Sequence, residues 1–304
     1  MDRTLTYHIT EADADISVGE YLQAKGYSRH LIIHLKQTPL GIHIGGQKVL
    51  TSHRLSAGEL LTVQIIEEHP SGQIAPSDLI LSVVYEDEDL LVLNKPADMP
   101  VHPSIGNYER TLANGAAYYY GKQNLPFVFR CINRLDRDTT GLLILAKNML
   151  SAAVLSRQMK ERRIFRTYLA LVSGNPDPAA GTIDAPIARV PDSVLKRCVS
   201  IDGEKAVTHY RVLRQLACSA LVELHLETGR THQIRVHMKH IGHPLLGDFL
   251  YAPGESSLTR QALHSSSLQF THPVTGRELT FHAPLPDDMQ EYIRLHTDRA
   301  EPSN

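Results

Sequence analysis

The sequence has only three cysteines, Cys131, Cys198 and Cys218. An odd, widely spaced set makes neither a disulfide framework nor a CxxC zinc pattern, and it points to a reducing cytoplasm. No apolar run approaches the roughly 20 residues that a membrane-spanning helix needs; the stretch around Leu142–Ala146 is far too short. The first residues carry Asp2, Glu11, Asp13 and Asp15 without an apolar segment, so a signal peptide is not expected. There is no GxxxxGK[ST] loop and no strand-linked GxGxxG, the usual phosphate-cradling signals. Internal repeats and low-complexity tracts are absent. A charge excess is missing as well: Lys+Arg is 31 and Asp+Glu is 33, a net charge of −2. Taken as a total, that balance speaks against a polyanionic partner, because phosphate binding needs positive surface somewhere.

What is present is an ordinary globular composition. The chain has 304 residues, 42% of them hydrophobic and 21% charged, enough for about two domains. The segment His69–Asp78, HPSGQIAPSD, reads as a linker between a small unit, 1–68, and a large one, 79–296, with 297–304 as a flexible tail. In the small unit Val18, Tyr21 and Leu22 have helical spacing, and Ser28 is placed to cap a second helix carrying Leu31, Ile32 and Leu35. Ile42 and Ile44 alternate before a Gly45-Gly46 turn, and 60–66 is a strand. The large unit is strand-rich, with strands expected at 79–85, 90–94, 142–147, 167–172, 207–213 and 221–227. Helices are expected at 149–160, 232–240 and about 287–296. Without regular βαβ alternation the fold class is α+β, built on a mixed, largely antiparallel sheet and preceded by a small α/β unit.

Read by segment, the charge is not balanced. From Lys25 to Arg54 there are five basic residues, including Arg29, Lys36 and Lys48, and no acid. From Arg130 to Tyr168 there are nine Lys/Arg against three acids. Either run is compatible with a solvated face; both are compatible with a phosphate-facing surface.

Three segments can carry chemistry. In Asn133–Asn148, NRLDRDTTGLLILAKN, Asp136 stands between Arg134 and Arg137 in a turn before an apolar strand. Flanking arginines keep such a carboxylate ionised, and an ionised Asp can attack an electron-poor carbon. The competing reading is a structural turn with surface ion pairs. In Glu227–Asp248, Thr231 is placed to cap a helix with Ile234, Met238 and Ile241 on one face. Arg235, close to that face, calls for a carboxylate partner. His237, His240 and His243 recur every third residue, but no HExxH or acidic ligand accompanies them, so no metal is expected. In Glu161–Gly174, Tyr168 is either a core residue or a ring that stacks on a planar base.

Together these segments resemble the RluA-type pseudouridine synthases. The pattern RLD-x-x-T-[ST]-G-L is met by Arg134-Leu135-Asp136 through Leu142, and K/R-x-Y-x-A-x-V by Arg166, Tyr168, Ala170 and Val172. TGRTHQIRVH, Thr228–His237, followed by GHPLLGD, matches nearly throughout, and LVLNKP (91–96), VHP (101–103) and RQALH (260–264) are similar to the family too. The likeness covers about 80–285. Asn133 stands where the family usually has His, and Thr140 where it often has Ser. The 1–68 unit is similar to the α-L RNA-binding motif.

The resemblance implies isomerisation of uridine to pseudouridine in RNA, large-subunit ribosomal RNA first and transfer RNA second, in a cytoplasmic monomer without a cofactor. It implies Asp136 as the catalytic carboxylate, Arg235 as its partner, Tyr168 on the flipped base and Arg134 in the vacated stack. Lys95, Arg230, His232 and His237 are weaker candidates for RNA contacts, with Arg29, Lys36 and Lys48 on the small unit. The rivals are a nucleoside or glycoside hydrolase pairing Asp136 with Asp138, and a non-catalytic RNA-binding or ribosome-assembly module.

Overall fold

The computed structural model describes residues 2–67, 72, 74–191, 193–254 and 257–297. The first unit contains β1 (Arg3–His8), α1 (Val18–Ala24), α2 (Arg29–Gln37), β2 (Ile42–Ile44), β3 (Gln47–Lys48) and β4 (Leu60–Ile65). Its sheet runs β1-β4-β2-β3, with β1 antiparallel to β4. The second helix starts as the sequence predicts, with Ser28 accepting the Leu31 N–H; the first is capped in the same way by Ser17, which accepts the Glu20 N–H. Strand β1 is an addition to the sequence reading. Only Leu5 is buried in it, which gives it little apolar signal.

The large unit contains β5 (Val83–Glu86), β6 (Leu90–Lys95), α3 (Leu112–Gly121), β7 (Thr140–Ala146), α4 (Met149–Lys160), β8 (Phe165–Ser173), β9 (Ala180–Asp184), β10 (Ile187–Arg189), β11 (Arg197–Val199), β12 (Val207–Gln215), β13 (Ser219–Leu226), α5 (Gln233–His240), β14 (Leu263–Thr271), β15 (Glu278–His282) and α6 (Asp287–Thr297). One nine-stranded sheet runs β5-β6-β7-β14-β8-β13-β12-β9, with β15 on β14. Among the described residues only β7 and β14 pair in parallel. The class is therefore α+β on a largely antiparallel sheet, as expected. β10 and β11 form a separate ribbon.

Two expectations change. Residues 79–82 are not strand; Leu79 and Leu81 instead pack on the main apolar core beside α3. Helix α3 was hidden by the Asn and Gly within it, and is set by reciprocal bonds between Thr111 and Asn114. Of the expected linker, His69, Pro70, Ser71 and Gln73 lie outside the described residues, whereas 75–77 bond to α3 through Asn114. The tail beyond Thr297 also lies outside them.

The two units share an apolar cluster. Leu150 and Val154 of α4 join Val18, Tyr21, Leu22 and Leu31. Gly26 has φ +97°, and a Cβ there would lie 2.7 Å from a Val154 methyl, so glycine is required at this contact. Arg3 forks onto Asp89 with two 3.0 Å bonds, and Arg130 pairs with Glu67. Among the described residues no helix is long and apolar enough to cross a membrane.

Candidate active site

Asp136 lies in the loop entering β7, which is buried along its whole length between β6 and β14. The chain can enter there because Gly141 has φ +108° and a Cβ would sit 2.2 Å from the Ser265 carbonyl oxygen. Thr140 Oγ1 lies 2.9 Å from His264 Nδ1, and the Asp136 carbonyl accepts the Thr139 N–H at 3.2 Å. Asn133 is buried. Its amide donates to the Leu142 carbonyl at 3.2 Å and accepts the Ile144 N–H at 2.9 Å. The Asn133 side chain thus ties the Asp136 loop to β7.

Arg235, on α5, comes from the far side of the cleft. Its side chain is 3% exposed, against 27% for Asp136. Nη1 donates to Asp136 Oδ2 at 3.1 Å; Nε and Nη2 donate to Asp248 at 2.7 and 2.8 Å. Burial alone would lower the Arg235 pKa, but the Asp248 bonds and the charges of Asp136 and Asp248 overcome it and hold the guanidinium above its ordinary value. Its carbon also lies 5.0 Å from the centre of the Tyr251 ring.

His232 precedes α5 with φ +58°, and its side chain makes no cap bond. This corrects the expected Thr231 cap. The Gln233 side chain instead ties the start of α5 to its surroundings: its Oε1 accepts the Arg230 N–H at 2.9 Å and its Nε2 donates to the Val207 carbonyl at 2.9 Å. The twisted backbone turns the imidazole inward: Nδ1 is 2.9 Å from the Tyr251 hydroxyl and Nε2 is 3.9 Å from Asp136. Burial lowers the His232 pKa against the opposing pull of Asp136, which favours the neutral ring.

Tyr168 is 4% exposed on β8 and lines the same cleft as Asp136, Arg134, Arg230, His232 and Arg235. The cleft has a volume of about 820 Å³. Among the described residues no hydrogen bond engages the Tyr168 hydroxyl. Arg166, two positions earlier on the same face, also lines the cleft, and its buried Nε has no partner. Asp248, Tyr251 and this role for Arg166 were not singled out from the sequence. The pattern GHPLLGD contained Asp248, and the need of Arg235 for a carboxylate was the signal that could have led to it.

Two sequence candidates are corrected. Lys95 is 1% exposed, and its ammonium donates inward to the carbonyls of Pro96, Met99 and Arg137 at 2.7, 3.0 and 2.7 Å. It braces the loop after Asp136 and does not face RNA. His237 is fully buried, with Nε2 on the Ala185 carbonyl at 2.8 Å and Nδ1 2.9 Å from Thr208 Oγ1. It fastens α5 to the sheet. On the first unit Arg29 and Lys36 are exposed, while Lys48 donates to the carbonyls of Lys36 and Thr38 at the end of α2. Asp138 does not line the cleft; its Oδ1 accepts the Asp98 N–H, and it offers no second carboxylate to Asp136.

Fold and cleft together define an enzyme class. Two solved structures share the fold, human RNA pseudouridylate synthase domain containing 1 and domain containing 4. Each has a TM-score of 0.57 and 28% identity, covering 75% and 73% of this chain and 98% and 95% of theirs. Residues 89–240 match the RNA pseudouridylate synthase family. The chain is 40% identical to the uncharacterized RNA pseudouridine synthase YjbO of Bacillus subtilis strain 168, over 92% of this chain and 99% of that protein. It is 42% identical to the ribosomal large subunit pseudouridine synthase D of Zymomonas mobilis, over 80% of each. The chain belongs to the RluA-type family of RNA pseudouridine synthases, and is an isomerase acting on RNA.

Proposed function

We propose that the chain converts specific uridines of large-subunit ribosomal RNA to pseudouridine in the cytoplasm, with Asp136 as the catalytic carboxylate. The observation that carries the catalytic assignment is the Arg235 guanidinium, buried and fixed by Asp248, presenting Nη1 to Asp136 at the mouth of an 820 Å³ cleft. The choice of RNA is supported by the 42% identity to the Zymomonas mobilis enzyme named for the ribosomal large subunit. Three unpaired cysteines suit a reducing compartment.

The chemistry breaks N1–C1′, turns the detached uracil, and joins C5 to C1′; the C5 proton leaves and N1 gains one. Asp136 serves as a carboxylate in this scheme, by attack or by removing a sugar proton, and both need it ionised. Arg235 keeps it so. Tyr168 stacks on the extruded base with its hydroxyl free for the C5 proton, and Arg134, exposed at the rim, enters the gap in the stack. The first unit is an α-L-type RNA-binding domain, with exposed Arg29 and Lys36 as phosphate contacts.

The test is tritium release from C5-tritiated uridine in ribosomal and transfer RNA. Asp136→Asn is expected to lower turnover by about 10³-fold or more with the fold retained. Retained turnover overturns the assignment of Asp136. Turnover of transfer RNA alone overturns the ribosomal target.

A further inference from the structure

A second cavity opens beside the catalytic cleft, and none of the roles assigned above uses it. Its volume is about 390 Å³, and it lies between the β10–β11 ribbon and the loop leading into α5. Arg134, Gly229, Arg230 and Thr231 line both cavities, so the two are neighbours across one wall. Four arginines line it, Arg134, Arg189, Arg197 and Arg230, against two acids, Asp202 and Glu204.

The four arginines are not equivalent. Arg230 pairs with Glu204 and donates Nε to the Lys205 carbonyl at 3.1 Å. Arg197 spends Nη1 on the carbonyls of Leu195 and Lys196 at 3.3 and 3.1 Å. Among the described residues the guanidinium groups of Arg134 and Arg189 have no acceptor. Two unpaired forks therefore face one concave space. No aromatic ring lines it, so a base finds no stacking platform there; what the cavity offers is charge and donors.

The walls are held in place before anything binds. Ile187 packs in an apolar cluster with Val236 of α5 and Tyr251. The Arg197 N–H donates at 2.9 Å to the Tyr251 hydroxyl, which also reaches His232 at 2.9 Å. The ribbon is thus braced on the element that carries Arg235, and the cavity keeps a fixed offset from Asp136.

We propose that this cavity is a subsite for a backbone phosphodiester of the RNA strand next to the target uridine, with Arg189 as its ligand and Arg134, whose guanidinium enters the stack, lining the shared wall. The proposal rests on the synthase reading above and adds a direction to it: the strand leaves the cleft over the Arg134–Arg230 wall toward the ribbon. A phosphodiester carries one negative charge and two free oxygens, which suits the two-pronged donor fork of the Arg189 guanidinium.

The test compares the wild type with Arg189→Ala, Arg189→Lys and, as a remote control on the β14–β15 turn, Arg277→Ala. Filter binding and tritium release are measured on C5-tritiated ribosomal RNA across a salt series. Arg189→Ala is expected to weaken binding about tenfold, to lower kcat/KM chiefly through KM, and to make the log–log salt slope shallower by about 1. Arg189→Lys is expected to restore most of the slope, and Arg277→Ala to match the wild type. When the RNA is trimmed back to the target nucleotide from one side or from the other, the difference between Arg189→Ala and the wild type is expected to vanish for one of the two trimmings only. A wild type that releases no tritium from any RNA sinks the synthase reading. An Arg189→Ala variant with wild-type affinity and salt slope sinks the subsite, whether or not the enzyme turns over.

Discussion

Asp248 holds Arg235 with both carboxylate oxygens, at 2.7 and 2.8 Å, leaving Nη1 free to meet Asp136 at 3.1 Å. The sealed carboxylate therefore orients the cation that orients the accessible one. Asp248→Asn keeps the size but removes the charge and one acceptor. Its turnover is expected to fall about 10²-fold, the scale of a small misplacement at a reacting group. The loss is expected chiefly in kcat, with KM little changed, because the misplaced group acts on the reacting base and sugar rather than on the bound strand. A folded variant with wild-type kcat would mean that Asp248 serves the fold alone.

Arg235→Lys tests the fork itself. An ammonium is a point charge and cannot satisfy Asp248 in two places while reaching Asp136. Loss of the buried pairing is expected to cost about 3 kcal/mol in urea unfolding, and turnover is expected to drop further than in Asp248→Asn. A lysine variant with wild-type stability and turnover would show that charge alone suffices.

Asn133 makes a stability prediction. Asn133→Ala takes the side-chain acceptor from the buried Ile144 N–H and one of two donors from the Leu142 carbonyl, which Ser265 Oγ still reaches at 3.1 Å, an expected loss of about 2 kcal/mol. Asn133→His, with one ring donor and one acceptor, is expected to stay within about 1 kcal/mol of the wild type. Chemical denaturation of the three proteins checks both statements.

These contacts also show which parts of the molecule could be read from sequence. Helix α4 was legible to its ends because Asn148 caps it and its apolar positions are regular. Strand β7 was legible from Leu142 to Ala146, where it is continuously apolar, but it begins at Thr140, inside the Thr-Thr-Gly segment read as a turn. Asp136, Tyr168 and Arg235 were found through local patterns, and the fold brings all three to one cleft. Lys95 was misread because a lysine at a strand end looks solvated; the three carbonyls that receive it come from separate positions along the chain. The same holds for His237, Asp248 and the orphaned Nε of Arg166, whose surroundings exist only after the sheet has formed.

The seam between the two units predicts that they unfold together. Val154 fills the space that Gly26 leaves, so Gly26→Val meets both a positive φ and a methyl 2.7 Å away. The variant is expected to lose about 3 kcal/mol and to split one calorimetric transition into two as the first unit detaches. A single transition at the wild-type temperature would show that the seam yields without cost.

Lys95 gives the protein a pH dependence with a definite sign. Burial pulls its pKa down to about 7, against the opposing charges of Asp138 and Asp136. In the unfolded chain the same amine titrates near 10.4. Between those values the unfolded chain binds the extra proton, so stability rises with pH across that window. Below about pH 7 both states are protonated and the full penalty of burying the cation is present. A Lys95→Met variant lacks this titration, although it also leaves three carbonyls without a donor. The wild type is therefore expected to gain stability relative to Lys95→Met as pH rises from 7 toward 10, in urea unfolding at fixed ionic strength. A gap between the two that stays constant over the window would show that the ammonium remains charged throughout, held by its three carbonyls.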